Sequence, residues 1–321
     1  MGIQFGTFVP QGWRMDLVEI DDPVEQYEAM TAVGQAAEAA GYDSIWVYDH
    51  FHTIPTPEIE TTFEAWTITA GLARDTQRVR IGQMVTCNGY RSPALLAKIA
   101  STVDVMSHGR AICGLGAGWY EHEWLAYGYG FPETRDRMRA FREAVEIIVR
   151  MWTDEKASFA GEYYTVDRAI NEPKGVQRPH IPLWLGGSGE QVTLKLVAQF
   201  GDGCNVGGGN PDVVRQKLGV LRGHCDALGT DYHRITKSTN INTVLIDDGD
   251  DPEAVTAPIR GATSLEEYRQ GAFVGTVAQL TERIEQLADA GADYIITNFP
   301  RVAYDHTPLR RFASEVMPKF T

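Results

Sequence analysis

Positive charge is scarce in this sequence. Its 321 residues hold 29 Lys plus Arg against 43 Asp plus Glu, a formal net charge of −14. Nucleic acid and anionic membrane are bound through clustered cations, so neither is an expected partner. Long apolar runs are missing as well, and nothing approaches the roughly 20 residues that a membrane span needs. Only four cysteines occur, Cys87, Cys113, Cys204 and Cys225. They are too scattered for a CxxC, a zinc ribbon or a disulfide framework. The opening residues, Met1-Gly-Ile-Gln-Phe-Gly-Thr-Phe, lack the basic and apolar regions of a signal peptide and read as a strand. A reducing cytoplasm is the expected compartment. There is no G-x-S-x-G elbow, and each cysteine lies in or beside an apolar segment. Hydrolase chemistry therefore has little support.

What recurs is a helical stretch, a glycine and a short β-rich run. Ala39-Ala40-Gly41 leads into Ile45-Trp46-Val47-Tyr48, and Ala290-Gly291-Ala292-Asp293 leads into Tyr294-Ile295-Ile296-Thr297. Ser107-His108-Gly109 and Phe200-Gly201-Asp202 stand in the same position before later runs. A glycine just past a helix supplies the left-handed residue that ends it. Candidate strands are Gln4–Val9, Ser44–Tyr48, Val79–Val85, Arg110–Leu115, Pro182–Leu185, Gly203–Val206, Lys237–Ile246 and Asp293–Thr297. Helical spacing fills the gaps, as in Met138, Phe141, Val145, Ile148 and Trp152. Eight strands alternating with helices predict a single-domain α/β chain, a (β/α)8 barrel of the TIM type. Two stretches break the rhythm, one of about 153–178 after the fourth helix and one of about 247–273 after the seventh strand. Loops of that length are expected to shape a pocket.

In such a barrel the functional groups lie at the C-terminal ends of the strands. There the sequence places Asp49-His50-Phe51-His52, Gly114-Leu-Gly116-Ala-Gly118-Trp119, Gly186-Gly187-Ser188-Gly189 and Gly207-Gly208-Gly209-Asn210. Gly186–Gly189 precedes a helix expected to start near Glu190, so its N–H groups and the helix dipole would favour an anion such as phosphate. Gly207–Gly209 precedes another helix, with Asn210 as its cap and Pro211 at its first position. Each cluster alone reads equally as a tight βα turn; two on consecutive loops point to phosphate. Gly114-x-Gly116-x-Gly118 has the wrong spacing for a dinucleotide fingerprint, and the next helix is expected only near Glu133. Close approach of backbone to a flat cofactor fits it better. His50, with Asp49 beside it, suits proton transfer near neutral pH, or else a hydrogen bond at the barrel rim. His52 reads as structural. No third or fourth ligand accompanies the two histidines, beyond Glu121, His122 and Glu123 as candidates by residue type, so no metal is expected.

Taken together, these segments resemble the luciferase-like oxidoreductases, and within them the branch using coenzyme F420 more than the branch using FMN. The carriers are residues 39–51, Arg80-Ile81-Gly82-Gln83-Met84-Val85 with Tyr90-Arg91-Ser92-Pro93, residues 110–119, and Ile181-Pro182-Leu183-Trp184-Leu185-Gly186-Gly187-Ser188-Gly189. The resemblance implies a TIM-like barrel with insertions and a deazaflavin lying across the strand ends. His50 would move the proton and Asp49 would orient the site. Met84-Val85 would support the ring, in a position that often carries a cis peptide. Ala117 and Gly118 would line the cofactor chain, and Gly186, Gly187 and Ser188 would hold its phosphate. Homodimers and a small-molecule substrate are implied too. Members that oxidise a sugar phosphate carry an acidic residue where Trp119 stands, a lysine at Asn210 and a tryptophan at Ile54. Those departures speak against such a substrate, and Trp119 would instead be an apolar wall of the substrate pocket. The expected activity is hydride exchange at the deazaflavin C5 carbon. The alternatives are a monooxygenase using reduced FMN and O2, and a non-catalytic cofactor-binding protein.

Overall fold

The computed structural model describes residues 2–320. Eight parallel strands run around a closed barrel: β1 (Gln4–Phe8), β2 (Ser44–Val47), β3 (Arg80–Gln83), β4 (Ala111–Gly116), β5 (Leu183–Gly186), β6 (Gly203–Asn205), β7 (Thr236–Leu245) and β8 (Tyr294–Asn298). Each pairs with the next, and β8 returns to β1 through Gln4 opposite Tyr294, which closes the circle. The helices following these strands are α1 (Pro23–Ala40), α2 (Ala65–Asp75), α3 (Pro93–Met106), α4 (Thr134–Thr153), α5 (Thr193–Phe200), α6 (Pro211–Leu228), α7 (Val277–Asp289) and α8 (Thr307–Arg311). The expected barrel is present, with strand bounds shifted by a few residues at most.

Two hydrophobic layers hold it. Outward strand residues such as Ile45, Ile81, Leu183 and Ile295 pack on the helices together with Val33, Phe141, Ile148 and Ile284. Inward residues fill the barrel with Phe8, Trp46, Met84, Ile112, Trp184 and Ile296. The tryptophans fit because a glycine on a neighbouring strand faces each of them. A Cβ on Gly82 would lie 2.6 Å from Trp46, and one on Gly203 would lie 2.6 Å from Trp184. Truncating either indole would cost about 3–5 kcal/mol.

The helix ends follow the expected chemistry with one exception. Gly41, Gly109 and Gly291 take positive φ of 97°, 84° and 106°. Gly201 does not: it is extended at φ −79°. Glycine is required there for space, since a Cβ would sit 3.0 Å from the Val197 backbone. Asn210 caps α6 by accepting from the Asp212 and Val213 N–H groups, as its sequence context predicts.

The irregular stretches also resolve. Residues 153–178 contain an antiparallel hairpin of Ala157–Ala160 and Thr165–Ala169. The Glu143 carboxylate of α4 fastens it by accepting from the N–H groups of Glu162, Tyr163 and Tyr164. Residues 247–273 hold two short helices, Pro252–Arg260 and Leu265–Gly271. Neither insertion lines the main cleft, contrary to expectation. The first is tied to the outside of the barrel through Asp104, which accepts from the Val176 and Gln177 N–H groups. No helix among the described residues is long and apolar enough to cross a membrane.

Candidate active site

A cleft of about 650 Å³ opens at the C-terminal ends of the strands. It gathers Asp49, His50, Met84, Val85, Ala117, Gly118, Trp119, Gly186 and Gly187. Ser188, expected with them, is not part of the lining; Gly189 and Thr193 are.

At the end of β3 the chain turns through a cis Met84–Val85 peptide. Residues Thr86–Cys87 then resume pairing, now with the end of β4. Asp49 fixes this turn. One of its oxygens accepts the Cys87 N–H at 2.8 Å, and the Arg91 guanidinium binds both oxygens at 2.7 and 2.9 Å. Arg91 Nη2, one of the two nitrogens on Asp49, also holds Glu64. Asp49 therefore positions the strand-three loop rather than the neighbouring histidine. Burial, with the Asp49 charge adding to it, pushes the Cys87 thiol up to about 12, so it stays neutral.

The partner of His50 is Glu123. Its Oε2 lies 2.8 Å from His50 Nδ1, and Glu123 is fully buried. The same carboxylate accepts from the Phe51 N–H at 2.7 Å, the His52 N–H at 3.3 Å and the Tyr90 hydroxyl at 2.8 Å. Burial alone would raise this carboxyl. The hydrogen bond and charge of His50, with the Phe51 and Tyr90 donors, outweigh burial and hold it below the usual carboxylate range. Because Nδ1 is committed to Glu123, Nε2 is the ring nitrogen left for exchange. The Trp13 indole stacks on the imidazole, with centroids 4.0 Å apart and planes within 2°.

Glu123 comes from a short helix, Glu121–Ala126, that lies ahead of the helix expected near Glu133. Six residues are too few for a periodic signal, so the sequence offered Glu123 only as a metal-type residue. His52 does find a partner: its Nε2 lies 3.0 Å from His122 Nδ1 at the rim.

The far end of the cleft is an anion-type turn. Helix α5 starts at Thr193, three residues later than expected, because Glu190–Val192 form a separate turn closed by Leu194 N–H on Gly189 O. Gly187 takes φ +121°. Among the described residues the N–H groups of 187–192 have no acceptor. They precede the positive end of a helix dipole, the arrangement that binds phosphate. Lys217 neutralises Glu190 beside this turn at 2.7 Å.

A sequence model of luciferase-like monooxygenases matches residues 3–264. The chain belongs to this family. Among curated luciferase-like relatives, the F420-dependent glucose-6-phosphate dehydrogenase of Kineococcus radiotolerans is 33% identical over 212 residues, covering 64% of this chain and 60% of that one. The equivalent protein of Amycolatopsis mediterranei is 33% identical over 54% of this chain and 52% of its own length. The chain thus spans about half to three fifths of these relatives. The FMNH2-dependent dimethylsulfone monooxygenase of Pseudomonas putida is 25% identical over 83% of this chain and 81% of that one. Among solved structures, an F420-dependent secondary alcohol dehydrogenase in complex with an F420–acetone adduct superposes with TM-score 0.78 at 21% identity, covering 100% of this chain and 98% of that one. At that identity the likeness establishes the shared barrel.

Proposed function

We propose that this luciferase-like protein is an oxidoreductase that binds coenzyme F420 and exchanges hydride between the deazaflavin and a small organic substrate. One observation carries the reading: His50, held by a buried carboxylate, shares a single cleft with a turn of free backbone N–H groups. The residues present fit the cofactor. Gly116 and Gly118 keep the strand-four wall low, since a Cβ on either would strike Val85 or Cys87 at 2.7 or 2.4 Å. The N–H groups before Thr193 suit its phosphate. The net charge of −14 does not oppose an anion, because these dipoles act locally.

When bound, the deazaflavin supplies a carbon that gives or takes a hydride. The chain supplies the rest. His50 Nε2 donates or accepts the accompanying proton, and Glu123 stabilises the imidazolium when it forms. Trp13 shields one face of that ring from water. Asp49 and Arg91 keep the Met84–Cys87 turn in place.

The test is to mix purified protein with F420 and with FMN separately and follow fluorescence quenching. Quenching of F420 supports the reading, and tight FMN binding with no response to F420 overturns it. The likeness to the dimethylsulfone monooxygenase, over more of the chain, favours a rival that consumes O2 with reduced FMN. Oxygen uptake coupled to substrate hydroxylation identifies that rival.

A further inference from the structure

The charges of the cleft are distributed unevenly. Its lining includes Asp49, His50 and Glu190 but no Lys or Arg. Both carboxylates are already paired, Asp49 with Arg91 and Glu190 with Lys217. Arg14 lies close by, yet it stands 5.2 Å from the ring centroids of Trp13 and Tyr48, bonds Asn242, and is not part of the lining. Beyond the backbone turn at residues 187–192, the lining offers an anionic ligand no Lys or Arg side chain among the described residues. A poorly screened charge in such a site is unfavourable.

Around His50 the cleft is aromatic. Trp13 lies parallel to His50, while Trp119 and Tyr120 stand edge-on to it, each with its ring centroid 5.9 Å away, at 72° and 66°. Trp119 stacks on Tyr120 at 5.3 Å yet remains 63% exposed. Two hydrogen-bond donors among the cleft's lining residues are left over. Trp13 Nε1–H is buried without an acceptor. Asn240 uses its oxygen to accept from Asn205, which leaves its own amide N–H groups free.

We propose that the substrate region of this cleft takes a neutral, planar, conjugated carbonyl compound. Flat π-faces provide the apolar contact, unpaired donors suit a carbonyl oxygen, and a lining without Lys or Arg selects against phosphates and carboxylates. The assignment of this region to substrate rests on the F420 reading, in which the glycine turns hold the cofactor.

The experiment uses protein loaded with oxidised F420 and isothermal titration with three probes: 2-acetylnaphthalene, the isosteric anion 2-naphthoate, and glucose 6-phosphate. The neutral ketone is expected to bind at least about tenfold tighter than either anion, and Trp119→Ala should weaken it about two- to tenfold, the value of one aromatic contact. F420 affinity should not change in that variant. Equal or tighter binding of an anion, binding of none of the three, no effect of Trp119→Ala, or displacement of F420 by the ketone would each overturn the proposal. Failure of the F420 reading shows earlier, as no response to F420 itself. The same titrations on FMN-loaded protein then decide the ligand class.

Discussion

Replacing Glu123 by Gln isolates the role of the buried carboxylate. In the wild type this group takes four donors: His50 Nδ1, the Phe51 and His52 N–H groups, and the Tyr90 hydroxyl. Bonds to a charged acceptor contribute about 1.5–3 kcal/mol each, against about 1 for neutral ones. The Gln oxygen can still serve the two backbone N–H groups. Its NH2 then faces His50 and Tyr90. Tyr90 can rotate to accept, but His50 can accept only by moving its proton to Nε2. All four bonds lose their charge assistance, so a stability loss of about 2–4 kcal/mol is expected. The larger effect is on chemistry. With the tautomer reversed, the proton-transfer contribution of about 10²–10⁴-fold should largely vanish. Urea unfolding gives the folded fraction, F420 quenching gives binding, and anaerobic turnover is normalised to both. Loss of stability with turnover per folded molecule within about twofold of wild type would show that Glu123 is structural only.

Three further outcomes follow from the same geometry. His50→Ala should bind F420 within a few-fold of wild type while turnover falls about 10²–10⁴-fold; unchanged turnover removes the proton-transfer role. Gly187→Ala has room for its methyl, with the nearest atom of Thr193 at 3.6 Å, but not the φ of +121°. That strain of about 1–2 kcal/mol should re-aim the turn and weaken F420 about tenfold with little change in melting temperature; unaltered affinity would place the phosphate elsewhere. The Glu123 carboxyl, held below its ordinary value of 4.5, gives stability that is complete above that pH and is lost as pH falls through the lower folded value. Urea midpoints should therefore show the gap between wild type and Glu123→Gln closing in acid, and a constant gap would refute the linkage.

Much of the barrel was legible because its signals are local. Gly41 and Gly291 end helices by backbone conformation, and Asn210-Pro211 starts one by capping, so each is readable within a few residues. Gly201 shows the limit, since its reason is the proximity of Val197 and not a positive φ. The cleft residues at the strand ends followed from the barrel itself. Their partners did not. Asp49 precedes His50 in sequence, yet successive residues at a strand end point to different faces, and Asp49 turns to Arg91, 42 positions away. Glu123 reaches His50 across 73 positions from a helix of a turn and a half, a pairing created only when β2 and β4 lie near each other. The insertions misled for a similar reason. Length alone suggested pocket walls, whereas Glu143 and Asp104 tie the first of them to the outer helices.

Deuterium transfer tests the central claim most directly. Reduced F420 carrying deuterium at C5 is incubated with the protein and an electron-poor conjugated ketone under anaerobic conditions, and the product is analysed by mass spectrometry. The account predicts one deuterium on product carbon, with label transfer lost in His50→Ala. Product that forms only with reduced FMN and O2, and carries oxygen but no deuterium, would contradict it.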